Sequence, residues 1–216
     1  MKPETSLIDI ITDIAAGFFR GIHGAHGWDH IERVVALCHT IGPKERCDMT
    51  VLEVAALLHD IGRKECDQNN GADCHAEYGA RLAREQLEAL DLSQDFIEKV
   101  IHCIEAHRYR GGAVPESIEA KVLYDADKLD SIGAVGIGRA FQFAGEVGAK
   151  MHDPSIDPET SEAYGPEDTA WREYMVKLRH IQGKMLTVTG AILALERSAF
   201  MDEFFTRLDK EVAGEL

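Results

Sequence analysis

Apolar residues recur at three-and-four spacing along most of this chain, the period of amphipathic helices, and no stretch shows sustained strand-like alternation. Residues 5–20 place Leu7, Ile10, Ile11, Ile14 and Phe18 on one face, and three glycines between Gly21 and Gly27 end that pattern. A second helix is predicted over 28–41, with Ile31, Val34, Cys38 and Ile41 facing inward and Gly42-Pro43 as its stop. A third, over 50–61, takes Thr50 as N-cap and Glu53 as the partner in a capping box. Two more amphipathic helices follow over 75–90 and 94–108, the second with Ser93 as N-cap. A long helical segment spans 117–148, and residues 169–212 are helical again. Between them, 149–168 is rich in Asp, Glu and Pro and reads as a loop: a lid, a partner surface or a disordered tract. The expectation is one all-α helical bundle over 1–216, its chemistry in residues 20–150 and its C-terminal helices, 169–212, packed on that core.

The third helix ends oddly. After the apolar run Val51, Leu52, Val54, Ala55, Ala56, Leu57 and Leu58 comes the adjacent pair His59-Asp60. Polar, ionisable side chains are costly at the end of a run that belongs in the core unless something satisfies them. A further histidine lies upstream in Trp28-Asp29-His30-Ile31-Glu32-Arg33-Val34, and an aspartate downstream in Asp125-Ala126-Asp127-Lys128-Leu129-Asp130. His30, His59, Asp60 and Asp127 together read as the ligand set of one divalent cation, drawn from three separate helices. Imidazole nitrogens with carboxylate oxygens suit such an ion, and four protein ligands leave positions open for water or a phosphate oxygen. Cations cluster beside these residues: Arg33 follows His30 by one helical turn, Arg63 and Lys64 follow the His-Asp pair, and Lys128 adjoins Asp127. That pattern points to a phosphorylated ligand.

Charge narrows the ligand. The chain has a net charge of −15, which repels polyanions and argues against a nucleic-acid polymer or an anionic membrane surface as partner. A small phosphorylated molecule stays compatible, because a metal and a few local cations reverse the sign inside one pocket. The five cysteines are odd in number and contain no C-x-x-C pair, so reduced thiols in a cytoplasm are expected. The apolar stretch from Leu7 to Phe19 is interrupted by Asp9 and Asp13 and fails as a signal peptide or membrane span. An acidic, mostly helical chain of this kind is also able to form a homo-oligomer.

The pattern His30…His59-Asp60…Asp127 resembles the HD superfamily of metal-dependent phosphohydrolases. The strings Ala56-Leu57-Leu58-His59-Asp60-Ile61-Gly62 and Asp125-Ala126-Asp127-Lys128-Leu129-Asp130 are similar to small stand-alone bacterial HD proteins, which include nucleotide pyrophosphohydrolases. The resemblance covers residues 20–150. It implies an HD-domain bundle with His30, His59, Asp60 and Asp127 as metal ligands and Mn²⁺ or Mg²⁺ as the ion. Two departures stand out: Arg63-Lys64 occupies the place of the acidic pair of alarmone hydrolases, and Gly27 stands where His-Asp-Trp is common.

The expected activity is hydrolysis of a phosphoanhydride or phosphomonoester in a small, nucleotide-like substrate. Asp60 is the catalytic candidate, orienting water or accepting its proton, while Arg33, Arg63, Lys64 and Lys128 neutralise phosphoryl charge. His102 and His107 are five residues apart, about 140° around a helix, so at most one faces the site. His107, beside Arg108 and Arg110, is the expected substrate contact. Two rival readings are a non-catalytic metal- and nucleotide-binding sensor and a di-iron oxygenase of HD type.

Overall fold

The computed structural model describes residues 6–22, 24, 27–63, 75–108 and 113–216, the His75 side chain excepted. Among the described residues the backbone forms nine α-helices and no strand. Helix α1 (Leu7–Phe18) begins at Ser6, whose hydroxyl accepts from the Asp9 N–H while the Asp9 carboxylate accepts from the Ser6 N–H. This is a reciprocal capping box that satisfies two donors at once.

Helix α2 runs Trp28–Glu45, past the predicted stop at Gly42-Pro43. Pro43 removes one backbone donor and crowds the carbonyl four residues earlier, which costs α2 one bond near its end without stopping it. The helix instead ends at Arg46, in the left-handed region at φ 62°, with its N–H bonded to the Gly42 carbonyl. Gly42 has a different task. A Cβ there would lie 2.7 Å from both Leu52 Cδ2 and Met49 Sδ, so the glycine lets α2 approach the next helix.

That helix, α3 (Met49–Leu58), is capped by Asp48 rather than by the predicted Thr50. The Asp48 carboxylate accepts from the N–H groups of Thr50 and Val51. A carboxylate two residues further upstream reaches two orphan donors at once. Val51, Leu52 and the whole run Val54–Leu58 are buried, so α3 belongs in the interior apart from Thr50 and the partly exposed Glu53. It packs against α1, α2 and α5 (Gln94–Ala106), and α4 (His75–Glu88) lies on α5. Ser93 caps α5 as expected, accepting from the Phe96 N–H.

The predicted segment 117–148 is two helices, α6 (Ile118–Leu129) and α7 (Gly133–Glu146). They are separated where Gly133 takes φ +74°, a conformation an L side chain rarely adopts. The chain divides into two compact units, Met1–Asp127 and Lys128–Leu216. Within the second, α7 packs on α8 (Ala170–Val176) and on α9 (Val188–Val212). Thr187 restarts the chain as the α9 N-cap after two short 3₁₀ turns. Tyr174 stacks on Phe205 at 4.2 Å and Phe141 lies 6.4 Å from the same ring, so these aromatics build core.

The 149–168 loop is held inside its own unit. Arg172 donates to the Ser161 hydroxyl at 2.6 Å, to the Ser161 carbonyl at 2.8 Å and to the buried Asp168 carboxylate at 2.8 Å. Burial pushes the Cys38 thiol up, and those of Cys47 and Cys103 up to about 12, so all three stay protonated at neutral pH. Cys66 and Cys74 lie outside the described residues. Among the described residues no helix is long and apolar enough to cross a membrane.

Two glycine substitutions should move stability in opposite directions. A Cβ on Gly62, just past the His-Asp pair, would sit 2.6 Å from the Gly79 nitrogen of α4, a backbone atom that cannot swing aside. Gly62→Ala should therefore cost about 1–3 kcal/mol in urea unfolding, the usual range for overpacking. Exposed Gly17 in α1 meets nothing within 4 Å. Gly17→Ala should stabilise by up to about 1 kcal/mol through helix propensity alone.

Candidate metal centre

Two helices end in the same way. His59 is the C-cap of α3 and His107 the C-cap of α5. The last carbonyls of a helix lack intrahelical donors, and each ring supplies one. The Nδ1 of His59 lies 2.8 Å from the Ala56 carbonyl, and the Nδ1 of His107 lies 2.5 Å from the Ile104 carbonyl. A carbonyl only accepts, so each Nδ1 carries the proton and each Nε2 offers a lone pair when the ring is neutral. Burial, the largest influence, drives the His59 pKa down to about 4, so this ring is neutral at physiological pH.

The remaining donors converge on the His59 Nε2. His30, on the first turn of α2, brings its Nε2 to 3.3 Å from that atom, and Asp127 of α6 brings Oδ1 to 3.5 Å from the His30 Nε2. The ligand atoms of His30, His59 and Asp127 all lie within 4.8 Å of one another. Asp60 Oδ2 is 3.8 Å from the His30 Nε2 and 3.9 Å from the His59 Nε2. Two ligands each about 2.1 Å from one ion lie about 3.0–3.5 Å apart, so the imidazole pair and Asp127 have a spacing suited to a shared cation. The chemistry agrees, because a neutral imidazole lone pair aimed at a second ring nitrogen and a carboxylate is what a cation satisfies. The residues fit a divalent metal.

Asp60 is buried and strongly held. Burial alone would raise its pKa, but the Arg63 guanidinium at 3.3 Å, His59 and His107 outweigh it and keep the carboxyl well below the usual carboxylate range. The Nε2 of His107 faces Asp60 Oδ1 at 3.5 Å, and its ring stands 5.1 Å from that of His59. His102 turns the other way and accepts from the Glu116 N–H, at the approach to α6. The structure therefore places one of the two α5 histidines at the cluster, as the 140° separation requires.

The cations are distributed less evenly. Arg63 reaches the cluster through Asp60, whereas Arg33 is partly exposed and pairs with Asp29 at 2.6 Å. Lys128 is buried and opens the second unit, one residue after Asp127. Lys64 lies outside the described residues, as do His23, His26 and Arg110. Trp28 donates to Glu32 at 3.0 Å and packs edge-on against Phe19 at 5.7 Å. Glu105 is exposed on α5, and Asp130 is buried in an ion pair with Arg139 at 2.8 Å. The groups that the sequence does not reveal are the Ala56 and Ile104 carbonyls, since every residue carries a carbonyl and only the fold selects which two orient the rings.

The family model described as HD domain matches residues 27–132. The YpgQ protein of Bacillus subtilis (strain 168) is 34% identical over 215 residues, which is 98% of this chain and 92% of that protein. The crystal structure of YpgQ in complex with ADP superposes with a TM-score of 0.75 at 31% identity, covering 96% of this chain and 98% of that one. An HD-superfamily hydrolase from Bacillus thuringiensis gives 0.74 at 27% identity, covering 95% and 96%. Ribonuclease Y of Borreliella burgdorferi is 28% identical over 122 residues, 56% of this chain but only 22% of that enzyme.

The His59 environment has a pH signature. Folded, the ring resists protonation down to about pH 4, whereas unfolded it takes up a proton near its ordinary 6.5. The unfolded state thus binds more protons between those values, and stability falls as pH drops from 6.5 towards 4. Asp60 acts lower down: its contribution is present above the ordinary 3.8 and is lost as pH falls through its depressed folded value. Unfolding of the metal-free protein should lose up to about 1.4 kcal/mol per pH unit between 6.5 and 4 from His59. His59→Asn should flatten that slope, and an unchanged slope would refute the burial argument.

Proposed function

We propose, from the premise that this chain belongs to the HD domain family, that it hydrolyses a phosphate bond in a small nucleotide, assisted by one divalent cation, Mn²⁺ or Mg²⁺. The fold is that of the HD-superfamily hydrolases. The observation that carries the proposal is the convergence of His30, His59 and Asp127 with the buried, ionised Asp60 against both rings. The nucleotide half is supported by the ADP held by YpgQ.

His30, His59, Asp60 and Asp127 would hold the ion. Such a cation supplies Lewis acidity towards a phosphoryl oxygen and lowers the pKa of water. Asp60 then orients the attacking water and accepts its proton, a role that needs an ionised carboxylate. Arg63 keeps it ionised, and His107, anchored on the Ile104 carbonyl, fixes its Oδ1 side. Arg63 also lies where it can offset phosphoryl charge, with Arg33, Lys64 and Lys128 as further candidate phosphate contacts and His107 as a candidate substrate contact.

Purified full-length protein should release phosphate or pyrophosphate from at least one member of a nucleoside mono-, di- and triphosphate panel. Chelation should abolish turnover and Mn²⁺ or Mg²⁺ should restore it, at one ion per chain. Asp60→Asn should lower kcat by about 10²–10⁴-fold, the range for loss of a general base. Retained metal-dependent turnover in Asp60→Ala would sink the mechanism. Nucleotide binding with no turnover at long incubation would favour the sensor reading instead. Arg63→Ala should raise the Asp60 pKa and so shift the acid limb of the pH–rate profile to higher pH.

A further inference from the structure

Two helices of the first unit begin with the same unusual junction. A helix N-cap residue has its own N–H to satisfy, and a carboxylate three residues on commonly accepts it. Helix α1 follows that rule, with Asp9 accepting from Ser6. Helix α3 cannot, because its N-cap is Asp48 and its third helical position is Val51. The Asp48 N–H instead donates to Oε1 of Glu119 at 2.9 Å, a carboxylate in the first turn of α6. Helix α6 has the same gap. Ser117 caps it by accepting from the Ala120 N–H at 3.1 Å, so its third position is an alanine. The leading N–H groups of α6 cross to α5, where His102 Nε2 accepts from Glu116 at 3.1 Å and from Ser117 at 3.5 Å. A side chain of one helix thus completes the N-terminus of the next, α5 for α6 and α6 for α3.

These junctions lie where α3 and α6 start, and the candidate cation ligands lie near where they end. His59 and Asp60 follow α3 directly, and Asp127 lies eight residues beyond Glu119, about 12 Å along the helix. Ala120, Val122, Leu123, Ala126 and Leu129 bury α6 among its neighbours. Apolar burial is non-directional, so it specifies the axial position of a helix less sharply than a hydrogen bond does. A slide of one residue is about 1.5 Å, whereas metal–ligand distances tolerate about 0.2 Å. We propose that Glu119 is a positioning residue for the metal centre. Its bond to the Asp48 N–H sets the axial register of α6 against α3 and so places Asp127 opposite His30 and His59, while His102 secures the same helix end to α5. The inference rests on the reading of His30, His59, Asp60 and Asp127 as ligands of one cation. Glu119 acts through Asp127 and not on the ion itself.

Calorimetric titration of the full chain with Mn²⁺ alone, paired with melting of the metal-free protein, tests this without any substrate. Glu119→Ala should raise the Mn²⁺ dissociation constant by about tenfold, the low end of the range for a residue that acts through a ligand. Glu119→Gln should keep the wild-type affinity, because its amide oxygen accepts the same N–H, and this separates the bond from the charge. Glu119→Asp keeps the charge but withdraws the oxygen by one methylene, so it should weaken Mn²⁺ binding, and it serves in place of Glu119→Ala if that variant fails to fold. Adding His102→Ala to Glu119→Asp should deepen the loss. A Glu119 that only supports the fold would lower the melting temperature of the metal-free variants and leave their Mn²⁺ affinity unchanged, which overturns the proposal. So does a Glu119→Gln protein that binds as weakly as Glu119→Ala. A wild-type chain that binds no Mn²⁺ overturns the metal reading and this inference with it, whereas tight binding by wild type and Glu119→Ala alike overturns this inference alone.

Discussion

The site depends on one constraint: α3, buried from Val54 to its last residue, ends inside the protein, and its terminal carbonyls must find donors there. His59 answers that need with its own ring. The hydrogen bond to the Ala56 carbonyl closes the helix end, sets the tautomer and aims the Nε2 lone pair away from the helix. The same device at the end of α5 places His107 on the other side of Asp60. Two helix termini thus become two oriented imidazoles with no further machinery. The burial of Leu52, Val54, Leu57 and Leu58 offsets the cost of placing ionisable groups beside them, at about 1.5–3 kcal/mol for each large aliphatic side chain.

Asp60 shows how competing electrostatic effects resolve. Burial by itself favours its neutral form, yet the carboxyl is held ionised because a guanidinium and two imidazoles face it at close range. Arg63 therefore serves the site through Asp60, which is the role its position in sequence left open. Arg33 follows the other course. It lies one turn from His30 and pairs with Asp29 on its own helix, a carboxylate that is mostly exposed to solvent.

Much of the helical layout was legible in the sequence, because periodicity and capping chemistry are local. Ser93 announces α5, and the apolar run from Val51 to Leu58, interrupted only by Glu53, announces a helix buried on most of its surface. The errors arose where packing overrides local rules. Gly42-Pro43 reads as a stop, yet the glycine is there so that Leu52 and Met49 can approach, and α2 continues to Glu45. The segment 117–148 reads as one helical stretch, and Gly133 divides it. Of the candidate site, His30, His59, Asp60 and Asp127 were legible as a set of residue types. Helix geometry allowed at most one of His102 and His107 at the site, and the neighbouring Arg108 and Arg110 pointed to His107.

By itself the sequence determined the helical class, the central place of α3 and the identity of the residues able to hold a cation, because hydrophobic period and side-chain chemistry are properties of the residues. Only the tertiary structure decided that three of those residues meet within 4.8 Å, which nitrogen of His59 and of His107 faces inward, and that Arg63 attends Asp60. Those outcomes depend on where helices end and on which backbone carbonyls are left without donors. Position in the chain carries no record of either until the helices have packed.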